Sequence, residues 1–419
     1  MPQTILVNFT HLNPLSNGGT SRIGFHVARL LLKQPGLRPV FVVNSEFAPQ
    51  FEQWLGMPAA IVPIVPLPKR IPLQIAQIKR ALSPRLVVSP LFGMDPFSAN
   101  NGIKHIAGMP DTLALDRPDY FSSAERLSRR QIYENLRGVD RVVTISRFAA
   151  ESLQRHLQLA EERVVIAPLG GKSTAQPDDS LVPSGRYWLY PANLWPHKRH
   201  ELLLRAFAAA RLDDSSLQLV LTGDNRQFQN RFDDLIKSLN LPENSVRHLG
   251  YVSDSQLAAL YRGAAAMVFT SEYEGFGMPL LEAMQAGCPV ICAPVTAIPE
   301  VVGDAVLYVD SDDPAAWSRA ALELNERRGA LIAAGRARVN LFSWDYTCEQ
   351  WLKALLDAGM KPGKESPVNP PASQAALNEL SGRFAGYAIS GRGRRAQILL
   401  RLWRLQQRIL ANAVEFTRA

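Results

Sequence analysis

Short continuous apolar runs alternate with stretches of helical spacing from the start of the chain. TILVNF reads as a buried strand, THLNPLSNGGTS as a polar loop and RIGFHVARLLLKQ as an amphipathic helix. PVFVVN is the next strand, and the rhythm continues through RLVVSP, HIAGMP, RVVTISRFAAESLQRHL and RVVIAPLG. Such strands predict a parallel sheet with helices on both faces, a Rossmann-like doubly wound domain over residues 1–170.

The polar, turn-rich GGKSTAQPDDSLVPSG predicts a linker over 171–185. The rhythm then restarts with RYWLYPAN, HKRHELLLRAFAAAR, LQLVLTGD, FQNRFDDLIKSLN, VRHLG, DSQLAALYRG and AAAMVFTS, giving a second domain over 186–345. Ligands of open α/β sheets lie outside the carboxyl ends of the strands, so two sheets in tandem imply a shared cleft. A helix over 346–360 is expected to pack back toward the first domain. Beyond it come a proline-rich linker over 361–391 and a basic amphipathic helix over 392–419.

Charge refines this picture mainly by its location. The formal net charge is +8, but residues 361–419 hold 10 of the 46 Lys/Arg and 3 of the 38 Asp/Glu, so 36 and 35 remain for the body. A nearly neutral body argues against nucleic acid as a partner. In the tail, Ile398, Leu402, Leu405 and Ile409 form one helical stripe and Arg394, Arg401, Arg404 and Arg408 an adjoining one. Such a helix either lies on an anionic membrane surface or packs on protein, and KRIPLQIAQIKRALS offers a second basic contact.

Three cysteines, Cys288, Cys292 and Cys348, match neither a disulfide framework nor a zinc site and favour a reducing compartment. The N-terminal MPQTILVNFTHLN lacks the pattern of a signal peptide, and stretches such as AAIVPIVPLP are too short and proline-broken to span a bilayer. The expected location is cytoplasmic, with any membrane contact peripheral and on the inner face. The seven histidines form no metal-ligand set.

The stretch EGFGMPLLE carries the chemistry. A strand ends near Thr270, the turn SEYEGFG follows, Pro279 suits the first helical position and Gly287 the helix end. Neither Gly277 nor Met278 has a side-chain oxygen to cap the free N–H groups, while Gly275 and Gly277 let a ligand approach the backbone. Such a helix start can hold phosphate or sugar oxygens. Glu274 in the turn and Glu282, expected in the first helical turn, can each accept bonds from vicinal hydroxyls; singly, either reads equally well as a helix-dipole partner or a solvated charge.

EGFGMPLLEAMQAGCPVICAPVTAIPEVVGDAVLYVD resembles the Glu-x7-Glu region of retaining nucleotide-sugar-dependent glycosyltransferases of the GT-B fold, especially family 4. PANLWPHKRHELLLRAF, LVLTGDN, VRHLGYVSDSQLAALYRGAAAMVFTS and FSWDYTCEQWLKALL follow in the family's order, from about residue 140 to 358. The resemblance implies a hexosyltransferase with Glu274 on the donor sugar hydroxyls and Glu282 on the donor ribose. Phe276, Gly277, Met278 and Pro279 would form the sugar and phosphate turn, and Lys198 would bind the diphosphate. Gly223, in LVLTGDN, falls among the donor-binding positions, and Gly18 and Gly19 match the glycine loop that approaches the phosphates from the opposite domain. Asn193 stands where the family usually has arginine. Pro110 stands where it usually has histidine, followed by Asp111, which either orients acceptor or sugar or is a loop acid; His105 is given no role.

The resemblance implies no cofactor and no metal. The expected donor is GDP-mannose first and UDP-glucose second, the neighbourhood of YPANLWPHKRH resembling bacterial mannosyltransferases of polysaccharide assembly. The expected acceptor is a glycan or lipid-linked glycan. The rival from another class is a non-catalytic nucleotide-sugar or glycan-binding protein. An epimerase or phosphorylase follows less well from the glutamate motif, and the glycine spacing of NGGTSRIG disfavours a dehydrogenase.

Overall fold

The computed structural model describes residues 3–14, 19–64, 71–91, 102–171, 175–224 and 229–361. Gly18 and the tail from residue 362 lie outside the described residues. The first sheet has seven parallel strands: β1 (Gln3–Phe9), β2 (Leu37–Asn44), β3 (Ala60–Ile64), β4 (Leu86–Ser89), β5 (Lys104–Gly108), β6 (Arg141–Thr144) and β7 (Val164–Ile166). Their order is β3-β2-β1-β4-β5-β6-β7. The second sheet is built of β8 (Tyr187–Pro191), β9 (Gln218–Thr222), β10 (Val246–His248), β11 (Ala266–Phe269), β12 (Val290–Cys292) and β13 (Leu307–Tyr308), in the order β10-β9-β8-β11-β12-β13.

The strands are apolar on both edges of the pleat because helices cover both faces. Ile5, Leu6 and Val7 are fully buried, as are Leu189 and Tyr190 in the second sheet. The β3 strand lies inside AAIVPIVPLP, the stretch whose proline marks it as unsuited to span a membrane. Pro63 pairs opposite Val43 on the outermost strand, where a missing N–H removes no ladder bond.

Each order reverses once, between β1 and β4 in the first sheet and between β8 and β11 in the second. Such switch points open a crevice beyond the carboxyl ends of the strands. The residues following β8 and β11 are Asn193–Lys198 and the EGFG turn, so the folding pattern delivers both motifs to one crevice.

Helix Trp344–Asp357 follows the second sheet in sequence but packs on helix Gly19–Lys33 and on β6 and β7. His26 stacks on Trp344 at 4.1 Å and 4° between ring planes, and Thr347 Oγ1 donates to the Pro168 carbonyl. Helix Ile71–Leu82, within the basic stretch of the first domain, turns Ile75, Ile78 and Lys79 inward, leaving Arg80 as the one exposed cation among its described residues. Cys288, Cys292 and Cys348 are all free thiols. Among the described residues, no helix is long and apolar enough to cross a membrane.

Candidate functional site

The EGFG turn is held at its backbone by the Thr296 hydroxyl. Thr296 Oγ1 accepts from the Glu274 N–H at 2.9 Å and donates to the Glu274 carbonyl at 3.0 Å, fixing the acid at the mouth of the second switch point. Gly277 has φ +94°, a conformation that a side chain would strain, and serves as the N-cap of helix Met278–Ala286 without any capping side chain. That helix starts at Met278, one residue earlier than the proline at 279 suggests, so Glu282 stands in the second turn and not the first. The dipole interaction falls off beyond the first turn, which leaves Glu282 to be explained by its side-chain partners.

Lys198 approaches Glu274 from the loop after β8. Its backbone carbonyl accepts from Tyr190 OH at 2.8 Å and from Thr270 Oγ1 at 3.0 Å, and Arg199 follows in a left-handed conformation with φ +53°. This sharp reversal aims Nζ at Glu274 Oε1, 2.5 Å away, with both side chains largely buried. Asn193 sits at the start of the same loop. Its Oδ1 accepts from the Asp224 N–H at 2.8 Å, and Gly223 packs so close that an added Cβ would lie 2.8 Å from Asn193 N. Asn193 and Gly223 thus lock the loops after β8 and β9 together.

Phe276 turns its ring away from the crevice onto Phe342, with centroids 5.7 Å apart, so its contribution to the turn is its backbone. Met278 closes against the first domain: a Cβ on Gly19 would stand 3.1 Å from Met278 Sδ.

The first domain also supplies Asp111. The Pro110–Asp111 loop abuts Gly275 directly, since a Cβ there would be 2.6 Å from the Pro110 carbonyl oxygen and 2.8 Å from Asp111 Cβ. Asp111 Oδ1 accepts from the Leu113 N–H at 3.1 Å. Burial pushes its carboxyl above the ordinary range and the charge of Glu274 adds to this, against the Leu113 N–H and the cations Arg129 and Lys198. Asp111, Glu274 and Lys198 therefore share one electrostatic environment. His105 is buried within β5, with Nε2 3.1 Å from Ser89 Oγ.

Several site residues carry no signal in local sequence. Glu282 Oε1 meets Arg22 Nη1 at 2.5 Å and Glu282 Oε2 accepts from Tyr261 OH at 3.2 Å. Burial raises the Glu282 carboxyl, opposed by Arg22 and by the Tyr261 bond. Tyr273, beside Glu274, donates to Asp116 Oδ2 at 2.8 Å and lies 3.0 Å from Thr112 Oγ1, both across the cleft. Glu300 accepts the Arg147 and Phe148 N–H groups at 3.0 Å each, so a second-domain acid caps a first-domain helix. A tyrosine next to a motif glutamate and an arginine three residues after a glycine loop are the only hints the chain offers.

The histidines near the crevice are held neutral. Burial lowers His197 and His200 to about 3, with Lys198 adding to both, and lowers His26 to about 4, with Arg29 adding. Their ordinary value is 6.5, so the unfolded chain takes up protons first on acidification. Their contribution to stability is complete above pH 6.5 and is lost as pH falls toward these depressed values. Thermal unfolding across this range should show Tm falling below pH 6.5, and His26→Phe, which keeps the stack on Trp344, should flatten the slope. An unchanged slope in that variant would assign the pH dependence elsewhere.

Residues 174–338 match the family model of glycosyl transferases group 1. The chain is 32% identical over 246 residues to O-antigen chain mannosyltransferase B of Escherichia coli, covering 55% of this chain and 64% of that protein. It is 33% identical over 184 residues to D-inositol 3-phosphate glycosyltransferase of Salinispora arenicola, covering 41% of each. The chain thus spans less than two thirds of the length of either relative. Among solved structures, Anabaena HepE in complex with UDP and glucose superposes with a TM-score of 0.68 at 17% identity, over 84% of this chain and 99% of that one. Sucrose-phosphate synthase from Thermosynechococcus elongatus gives a TM-score of 0.67 at 18% identity, over 85% of this chain and all of that one. The fold is GT-B.

Proposed function

We propose that this chain is a glycosyltransferase that moves a hexose from a nucleoside diphosphate sugar to a glycan or lipid-linked acceptor, with retention at the anomeric carbon. The observation that carries the reading is the pairing of Glu274 with Lys198 beside an uncapped helix start at the second switch point. The match of residues 174–338 to group 1 glycosyl transferases supports it independently.

In this reading the diphosphate lies against the open N–H groups after Gly277, where the helix dipole favours an anion. Lys198 stabilises the charge that grows on the leaving phosphate as the bond from the anomeric carbon breaks. The acceptor hydroxyl attacks from the same face, its oxygen forms the new bond, and its proton passes to an oxygen of the departing phosphate. Glu274 holds the sugar hydroxyls, Glu282 the ribose, and Asp111 orients the acceptor across the contact with Gly275. No metal is required, because Lys198 and the backbone amides supply the positive field. GDP-mannose is the first donor in this reading, supported by the mannosyltransferase relative; UDP-glucose is second, supported by the structural neighbour whose complex holds UDP and glucose.

Incubating the chain with GDP-, UDP- and ADP-sugars and measuring both thermal shift and donor turnover tests the proposal. A true donor should raise Tm by mass action and be hydrolysed or transferred. Glu274→Gln should fold and lose turnover roughly 100-fold, the scale on which misplacing a reacting group costs rate. Full transfer by that variant from every donor the native chain uses would overturn the assignment. Stabilisation by a sugar nucleotide with no turnover at all would favour a binding protein, the reading to which Asn193 and Pro110 lend weight.

A further inference from the structure

The two carboxylates assigned to the donor share one arrangement: each is tied to a half-buried cation. Lys198 holds Glu274 at 2.5 Å, and Arg22 holds Glu282 at 2.5 Å. The first pair lies within the second domain, whereas the second joins the domains. Arg22 also reaches Asp254 at 3.5 Å, on the helix Asp254–Gly263 that supplies Tyr261.

Helical spacing explains how this pair forms. Gly19 begins helix Gly19–Lys33 and lies against Met278, which begins helix Met278–Ala286. Arg22 is three residues beyond Gly19 and Glu282 four beyond Met278, the two spacings that keep side chains on one helix face. Two helices that start side by side thus tie their next turns with an ion pair. A cavity of about 180 Å³ opens beside it, lined by Arg22, Asp254, Leu257, Tyr261, Arg262 and Glu282.

We infer that Arg22 is a second phosphate-binding cation of the donor site, supplied by the first domain and oriented by Glu282 and Asp254. The inference rests on the glycosyltransferase reading above and adds a residue to it. A guanidinium carries five N–H donors in a fixed fork, and the two carboxylates engage it through one nitrogen each. Among the described residues no other side chain takes its remaining N–H groups, which can serve an anion placed where the two helix starts meet. A diphosphate arriving there meets two cations already partly desolvated and held in place, Lys198 from one domain and Arg22 from the other, and the bidentate geometry of arginine suits a phosphate oxygen pair. When ribose hydroxyls bond Glu282, Arg22 exchanges part of its carboxylate contact for phosphate. Phosphate binding is then coupled to apposition of the domains, because Arg22 reaches the site only while Gly19 lies against Met278.

The test separates phosphate recognition from simple strut-like packing. Calorimetric titration of the native chain with UDP, GDP, uridine and guanosine sets the reference, and Arg22→Met and Arg22→Lys are titrated alongside. Arg22→Met should weaken the preferred nucleoside diphosphate roughly ten- to hundredfold, the range of a charge-assisted bond to an anion, while nucleoside affinity changes by less than about threefold. Arg22→Lys should restore part of the loss. If Arg22→Met does not fold, comparing Glu282→Gln with the Arg22→Met/Glu282→Gln double variant asks the same question without leaving the buried acid at 282 unpaired, and the double should lose a further factor of about ten toward the diphosphate alone. Equal losses toward nucleoside and diphosphate, or none toward either, would overturn the role of Arg22 and leave the glycosyltransferase reading intact. Failure of the native chain to bind any nucleoside diphosphate would overturn both.

Discussion

Lys198→Ala is expected to lower the rate of donor turnover roughly 10²- to 10³-fold, the cost of removing one preorganised group that stabilises developing negative charge. The loop that carries Lys198 does not depend on its side chain. Tyr190 OH and Thr270 Oγ1 hold its carbonyl, and the reversal at Arg199 is a backbone feature. The substitution therefore removes the cation and leaves its mounting in place. It also leaves Glu274 without its ion-pair partner in a site where that side chain is 11% exposed, so some stability is lost as well. Steady-state kinetics and thermal unfolding on the same preparation separate the two effects: kcat should fall by far more than any shift in Tm accounts for. Lys198→Arg should rescue little, since a planar guanidinium does not fit the position of a compact ammonium held 2.5 Å from a carboxylate. Native kcat in Lys198→Ala would remove the central residue of the proposed mechanism.

Gly275→Ala should damage transfer with a single methyl group. The new carbon would stand 2.6 Å from the Pro110 oxygen and 2.8 Å from Asp111 Cβ, both in the opposite domain, and the first of these is backbone that cannot swing aside. The Pro110–Thr112 segment must retreat, pulling on the Thr112–Tyr273 and Tyr273–Asp116 contacts that close the cleft beside Glu274. A misplacement on the order of 1 Å costs about 10²-fold in rate, and this is the loss expected in kcat/KM for transfer. Nucleoside diphosphate binding should change much less, because the Lys198 loop is held by Tyr190 and Thr270 of its own domain. A variant with native transfer kinetics would show that transfer does not need the close approach of the Pro110–Asp111 loop to Gly275.

The acid response of Asp116 is a companion to this contact. Burial raises its carboxyl, but bonds from Thr112, His156, Tyr273 and Ser152 together hold it below the ordinary range. The stability it contributes is thus present above pH 3.8 and is lost as pH falls through the depressed value, a lower window than that of the histidines.

Much of the site was legible in the chain because its signals are local. The glycines of EGFG, the proline after Met278 and Gly287 at the helix end act within a few residues, so their spacing alone places a helix start after a strand. Lys198 was picked out by the family resemblance and not by spacing. What local spacing misjudged was the turn on which Glu282 sits, since Met278 and not Pro279 opens the helix. The basic stretch of the first domain shows a similar limit: its charge is visible in sequence, but the burial of Lys79 depends on which helix face the sheet covers.

By itself, then, the sequence determined the two runs of strand and helix and the glycine turns, because apolar periodicity and backbone preference operate over short separations. Only the tertiary structure decided which strands lie at the switch points and which first-domain groups close on the second. Arg22 and Glu282 are 260 residues apart and Tyr273 and Asp116 are 157 apart. No local pattern encodes such pairs, for they exist only once two independently built sheets are brought face to face.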